Sequence, residues 1–378
     1  MRILPKRAAS GYSSGGLRLL AVAVLVSATA CGPFAGSGGP PPATVRATRP
    51  PVSAPGPATS GPAGVVLRPG SAGSYSLTLV LADGRVVGPV SAHLRTVQPT
   101  AGAAPATLPV FSTSASRVYY LDGDVDVRFL ARDGTTGPAT RVPGGAHSES
   151  AFAVSPDDRR IAVATLDASA DAASMRLSVE DLAGGGSHVD LPAPTDAAMW
   201  PIGWRAGDLV LALGSIPTRN VADNPYGTFT GYQLVDPSSG TRLAALDCDP
   251  AGPLTPAGTA CLGGGGGAGV TLQDFGGRVR GLDTAASGQA IVSAASSPDG
   301  ARVAFCCAAG QVQVWDTAGD AVHGLGAASG EPYGWVDATH LLLGDPIGQR
   351  GRLVDVATGA AVTVPAAGQV VARLPGGL

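Results

Sequence analysis

An all-β fold is what this sequence predicts, and three observations carry the prediction. Gly 55 and Pro 32 make up nearly a quarter of the 378 residues and interrupt the chain every few positions, which disfavours helix interiors. No G-X-Y period runs through them, so a collagen-like chain is excluded. Hydrophobic residues reach 44%, an ordinary content for a chain with a core and too high for wholesale disorder. Short apolar runs closed by tight turns are then the natural building unit.

The amino terminus reads as an address. Residues 2–18 are mostly polar and basic, Leu19 to Val26 is apolar, and Ser27, Ala28, Thr29 and Ala30 are small. Charged, then apolar, then small residues before a cut make residues 1–30 a secretory leader. Its apolar part is too short to span a bilayer. Cys31 follows at once. The stretch Ala28-Thr29-Ala30-Cys31 resembles the lipobox of bacterial lipoproteins, with Ala28 where that family usually has Leu. The resemblance implies lipidation at Cys31 and a protein anchored at the extracytoplasmic face of the cell membrane; two acyl chains suffice for stable anchoring. Residues 31–64 are almost wholly Gly, Pro, Ala, Ser and Thr, which cannot bury a core. They are expected to form a disordered, semi-extended tether of about 3 Å per residue where extended.

Charge narrows the partners. The chain has 25 Lys+Arg and 28 Asp+Glu. Four of the basic residues, Arg2, Lys6, Arg7 and Arg18, lie in the leader, so the rest is distinctly acidic. That disfavours nucleic acid, which needs a basic footprint. Lys6 is the only lysine, so a mature form has neither a Schiff-base nor a P-loop lysine.

A repeat organises residues 65–374. Ser155-Pro156-Asp157-Asp158-Arg159-Arg160-Ile161-Ala162-Val163 matches Ser297-Pro298-Asp299-Gly300-Ala301-Arg302-Val303-Ala304-Phe305. Looser copies begin at Ser112, Gly203 and Gly334, and Thr255-Pro256-Ala257-Gly258 is a poor one. Each reads as strand, tight turn, strand, with Pro presetting the turn in the better copies. A second element recurs seven times: an apolar run ending in Asp with Gly close behind. The seven are at Asp83, Asp133, Asp181, Asp236, Asp274, Asp316 and Asp355. Each is expected to be a hairpin with an Asx-type turn. Seven copies over this span give about 44 residues each, the length of a four-stranded blade. The reading is a single β-propeller of seven four-stranded blades; six also fit the length. The SPDG-type turns and Trp315-Asp316 resemble the WD-like repeats of TolB-type propellers. The first repeat lacks one strand, and Gln369 to Leu374 is a spare apolar segment. It is expected to pair in the first blade and close the ring.

Sites are sparse. Gly11-Tyr12-Ser13-Ser14-Gly15 matches a hydrolase elbow pattern but sits in the leader. Gly263 to Gly269 precedes a strand where a dinucleotide site needs a helix, so it reads as a loop. Asp122-Gly123-Asp124-Val125-Asp126 begins like a calcium loop, yet Val127 stands where Gly is required and Asp133 where Glu is; a hairpin turn explains the same residues. His93, His147, His188, His323 and His340 have no ligand spacing. No metal, cofactor or catalytic residue is assigned. Outside the cytoplasm Cys248 and Cys261 are expected to form a disulfide, while Cys306 and Cys307 are buried thiols or a vicinal pair. Loops 165–175, 213–230, 262–269 and 343–350 share one face. The longest carries Arg219, Asn220, Asp223, Asn224 and Tyr226, a candidate binding surface. The expected function is a lipid-anchored module that binds a protein or envelope component without catalysis. The alternative is a propeller enzyme, quinoprotein-like or a hydrolase or lyase, with its site in the central channel.

Overall fold

A computed structural model describes residues 61–70, 73–96, 108–167, 174–193, 197–214, 229–248, 250–262, 269–283, 291–307, 311–344 and 350–376. These contain β strands and no helix. Blade I holds β1 (Ala63–Pro69), β2 (Ser74–Leu81) and β3 (Val86–His93). Blade II holds β4 (Phe111–Thr113), β5 (Arg117–Asp122), β6 (Asp126–Ala131) and β7 (Thr136–Arg141). Blade III holds β8 (Ser148–Val154), β9 (Arg160–Asp167), β10 (Ser174–Asp181) and β11 (His188–Leu191). Blade IV holds β12 (Ala198–Arg205), β13 (Asp208–Gly214), β14 (Gly231–Val235) and β15 (Arg242–Leu246). Blade V holds β16 (Thr259–Leu262), β17 (Gly269–Gln273) and β18 (Val279–Asp283). Blade VI holds β19 (Ile291–Ser296), β20 (Arg302–Cys307), β21 (Gln311–Asp316) and β22 (Ala321–Ser329). Blade VII holds β23 (Glu331–Trp335), β24 (His340–Gly344), β25 (Gly351–Asp355) and β26 (Ala361–Val364). All pairings are antiparallel, in chain order within each blade.

The last strand, β27 (Gln369–Leu374), pairs with β1 and completes blade I in the order β27-β1-β2-β3. This is the closure read from the sequence. Ala63 lies opposite Leu374 and Val65 opposite Ala372, with a bulge before Val66 meets Val370. The bulge turns neighbouring side chains to different neighbours. Val370 packs with Val336, Leu342 and Val364 of blade VII, while Val371 and Leu374 join the core that runs on through blades I to IV. Gly334 permits this seam: its φ is +130°, and a Cβ there would lie 2.8 Å from Val370 Cβ.

Burial orders the strands radially. Six of the seven β8 residues are buried, as both its faces meet protein. The outer strands β7 and β26 are largely exposed. Neighbouring inner strands meet around the ring, β4 with β8, β8 with β12, β19 with β23, β23 with β27, and β27 with β4. Two tryptophans tie inner strands together. Trp204 Nε1 donates to Ala153 O at 3.0 Å, and Trp335 Nε1 to Ala295 O at 2.9 Å. Both acceptors stand two residues before the Ser of an SPD turn, so the two ties are copies of one joint. Arg160 stacks over the Trp204 ring at 4.7 Å, and its repeat counterpart Arg302 donates to Ala338 O in the next blade at 2.9 Å.

The turns follow the repeated residues. Ser155 Oγ and Ser297 Oγ each donate to the Asp two positions on at 2.6 Å and accept the backbone N–H of Arg160 and Arg302. All seven Asp-Gly elements fall at the turn that leads into the outermost strand of their blades. In five of them the Asp carboxylate accepts the backbone N–H two residues on: Asp83, Asp133, Asp236, Asp274 and Asp355. Asp181 reaches Ser187 instead, and Asp316 pairs with Arg302.

Blade V differs from the regular pattern. Residues 250–254 run beside β16 where an inner strand is expected, but only isolated pairings form, Pro250 opposite Cys261 and Ala251 N–H to Ala260 O. Pro250 and Pro253 lack the N–H that a ladder needs, which is why the strand is irregular. The disulfide between Cys248 and Cys261 binds this segment to β16, with the Cα atoms 5.9 Å apart.

Candidate functional site

The first–second strand turns and the ends of the inner strands surround one mouth of the central channel. A cavity of about 350 Å³ opens there. Its apolar wall includes Phe111, Ile202, Leu254, Pro256, Pro298 and Val336, drawn from blades II, IV, V, VI and VII. Blade I contributes Arg373, whose Nη2 crosses the mouth to donate to Leu254 O in blade V at 3.2 Å. Volume and apolar lining fall in the range of small-ligand and side-chain pockets.

Polar groups at the mouth are already engaged. Asp337 accepts the backbone N–H groups of Thr339 and His340, each at 2.7 Å, and its carboxylate lies 2.8 Å from His340 Nδ1. Burial alone would push this carboxyl up; the two N–H donors and the His340 ring outweigh it and hold the carboxyl below its ordinary range. Ser112 Oγ accepts the Val154 N–H at 2.8 Å, so it joins blades II and III. The chain end also passes here, with the Gly376 N–H bound to Ser114 O at 2.6 Å. What these residues form is a shaped, apolar opening with one guanidinium and one carboxylate at its edge.

Residues singled out in the sequence fall in different places. Cys31 and the loop residues Arg219, Asn220, Asp223, Asn224 and Tyr226 lie outside the described residues, as does the glycine run 263–268. Cys306 is buried in β20, and its Sγ faces Gly330 O at 3.9 Å. The calcium-like segment forms the β5–β6 hairpin, and its carboxylates are taken up within the protein. Asp122 binds the His93 N–H and ring, Asp124 binds Thr96, and Asp126 pairs with Arg141. Among the described residues no group of three or more His, Cys, Asp or Glu is placed to hold a metal.

The mouth itself was not among the sequence candidates. Its lining comes from segments far apart in the chain, so no local spacing reveals it. One signal was present: Pro256 and Pro298 occupy the same position in two copies of the turn, and both line the cavity.

Strand order, ring and closure define the class of protein as a seven-bladed β-propeller. No known family model matches the chain, and no curated protein matches it. Among solved structures it is similar to Kluyvelomyces marxianus Hsv2, at 9% identity and a TM-score of 0.43 over 67% of this chain and 72% of that one. It is also similar to the C-terminal WD40 domain of Sif2, at 12% identity and a TM-score of 0.38 over 78% and 79%. The assignment of the fold rests on the strand pairing and not on these likenesses.

Proposed function

We propose that the protein is a lipid-anchored, extracytoplasmic β-propeller of the TolB-like kind that binds a protein or envelope component and carries out no covalent chemistry. The observation that carries this reading is the channel mouth. It is an apolar opening built from most of the blades, and its charged groups Arg373 and Asp337 are held by hydrogen bonds, which suits recognition more than proton transfer. The Cys248–Cys261 disulfide supports an oxidising compartment. The leader and Cys31 supply the address, and the 213–230 loop with Arg219, Asn220, Asp223, Asn224 and Tyr226 supplies a second contact surface.

Cross-linking at the cell surface followed by mass spectrometry tests the binding reading. A specific envelope protein or component should be captured by the wild type and lost from a Δ213–230 variant. Capture unaffected by the deletion removes the loop from the contact. Absence of any specific cross-link counts against binding itself. Cys31→Ala should release the protein from the membrane fraction; retention there defeats the anchor.

A further inference from the structure

A second cavity, about 530 Å³, opens at the rim between blades VI and VII. It lies between the outer strand β22 and the β25–β26 hairpin, away from the channel mouth and independent of the function proposed for it. Gly324 and Gly359 leave room: a Cβ at either would meet nothing within 4 Å. The ladder also opens here. Gln313 lies opposite Gly324 but Gln311 lies opposite Ser329, so the outer strand carries a wide bulge.

The floor of the cleft is apolar. Val354 and Val356 are buried and Leu325 packs against them. Arg352 shares a face of β25 with Val354, two residues on. Arg352, His323 and Thr358 supply the polar edge, and no Asp or Glu lines the cleft. Neither the Arg352 guanidinium nor the His323 ring has a hydrogen-bonding or ionic partner among the described residues. Asp355, three residues on from Arg352, is held inside its own turn by the N–H groups of Ala357 and Thr358 at 2.9 and 3.3 Å. Thr358 Oγ1 accepts the Ala360 N–H and its hydroxyl also binds the Asp355 carboxylate, so the turn keeps that carboxylate to itself. On an acidic protein, an apolar cleft edged by a guanidinium and an imidazole, with no carboxylate in its lining, is complementary to an amphiphilic anion.

We propose that this cleft binds such a ligand, its apolar body on Leu325, Val354 and Val356 and its carboxylate or phosphate head between Arg352 and His323. Isothermal titration of the full chain with 1-naphthoate, 1-naphthyl phosphate and the neutral 1-naphthalenemethanol tests it. At least one anion should bind about ten-fold tighter than the alcohol, and the anion that does so assigns the head group. Arg352→Gln should erase that preference with an unchanged melting temperature. Gly324→Leu, which fills space no other atom occupies, should block all three probes. Equal binding of anion and alcohol overturns the proposal, as does wild-type anion binding by either folded variant.

Discussion

Leu374→Ala tests the closure of the ring directly. Leu374 is fully buried, sits opposite Ala63, and belongs to the core shared by blades I to IV. Truncating a fully buried leucine to alanine costs about 2–5 kcal/mol, and about 3 is a fair centre for a site in a continuous core. At roughly 2 °C per kcal/mol for a domain of this size, the melting temperature should fall by about 6 °C. The control is Leu243→Ala on the outer strand β15, where Leu243 is 53% exposed; its effect should stay within a degree or so. Removing residues 369–378 goes further. It deletes Val370, Val371 and Leu374, all essentially inaccessible, at ~1.5–3 kcal/mol each. That is about the whole net stability of an ordinary domain. The truncated chain should not melt cooperatively by calorimetry or circular dichroism, and a peptide of residues 369–376 should restore the transition. A truncated chain that melts like the full one, or a Leu374→Ala variant as stable as the Leu243 control, would refute the closure.

Three further outcomes follow from the same structure. Replacing Cys248 and Cys261 together by Ser should lower the denaturant midpoint by the equivalent of about 3 kcal/mol, the chain-entropy expectation for a loop near this length; equal midpoints would remove the disulfide from the stability of blade V. Trp204→Phe and Trp335→Phe each strip a donor from a buried carbonyl, so each should cost about 1–3 kcal/mol with an unchanged denaturant slope. Asp83, Asp133 and Asp355 are held below the ordinary carboxylate range chiefly by backbone N–H donors, and Asp236 chiefly by the Ser238 hydroxyl. A carboxyl depressed in the folded state stabilises above its unfolded pKa and loses that contribution as pH falls through the folded value. The melting temperature should therefore fall below about pH 4, the unfolded carboxylate range, and fall less when all four are Asn. A melting temperature flat from pH 5 to 3 would defeat this account.

The repeated turns were legible in the sequence because they are local. A Ser two positions before an Asp, or in five of seven copies an Asp with Gly close behind, fixes its own hydrogen bonds, and all seven Asp-Gly elements fall at equivalent turns. The closing strand was legible for a different reason: an apolar segment with no partner in its own repeat needs one elsewhere. Blade V was harder, because prolines at 250 and 253 erase the strand pattern while a bridge to Cys261 keeps the segment in place. The channel mouth was legible only in the matched Pro256 and Pro298 of two turn copies. Arg373 reaches Leu254 across 119 positions of sequence, and only the ring brings such residues within a bond of each other.

The pairing of β27 with β1 also sets a schedule for the nascent chain. Blade I is built from an early and a late part of the chain and stays one strand short until residues 369–374 have emerged. The ring therefore cannot close before β27 is available to pair. Any product cut short before residue 369 exposes the naked edge of β1, a mark by which quality-control proteases could tell an unfinished molecule from a finished one.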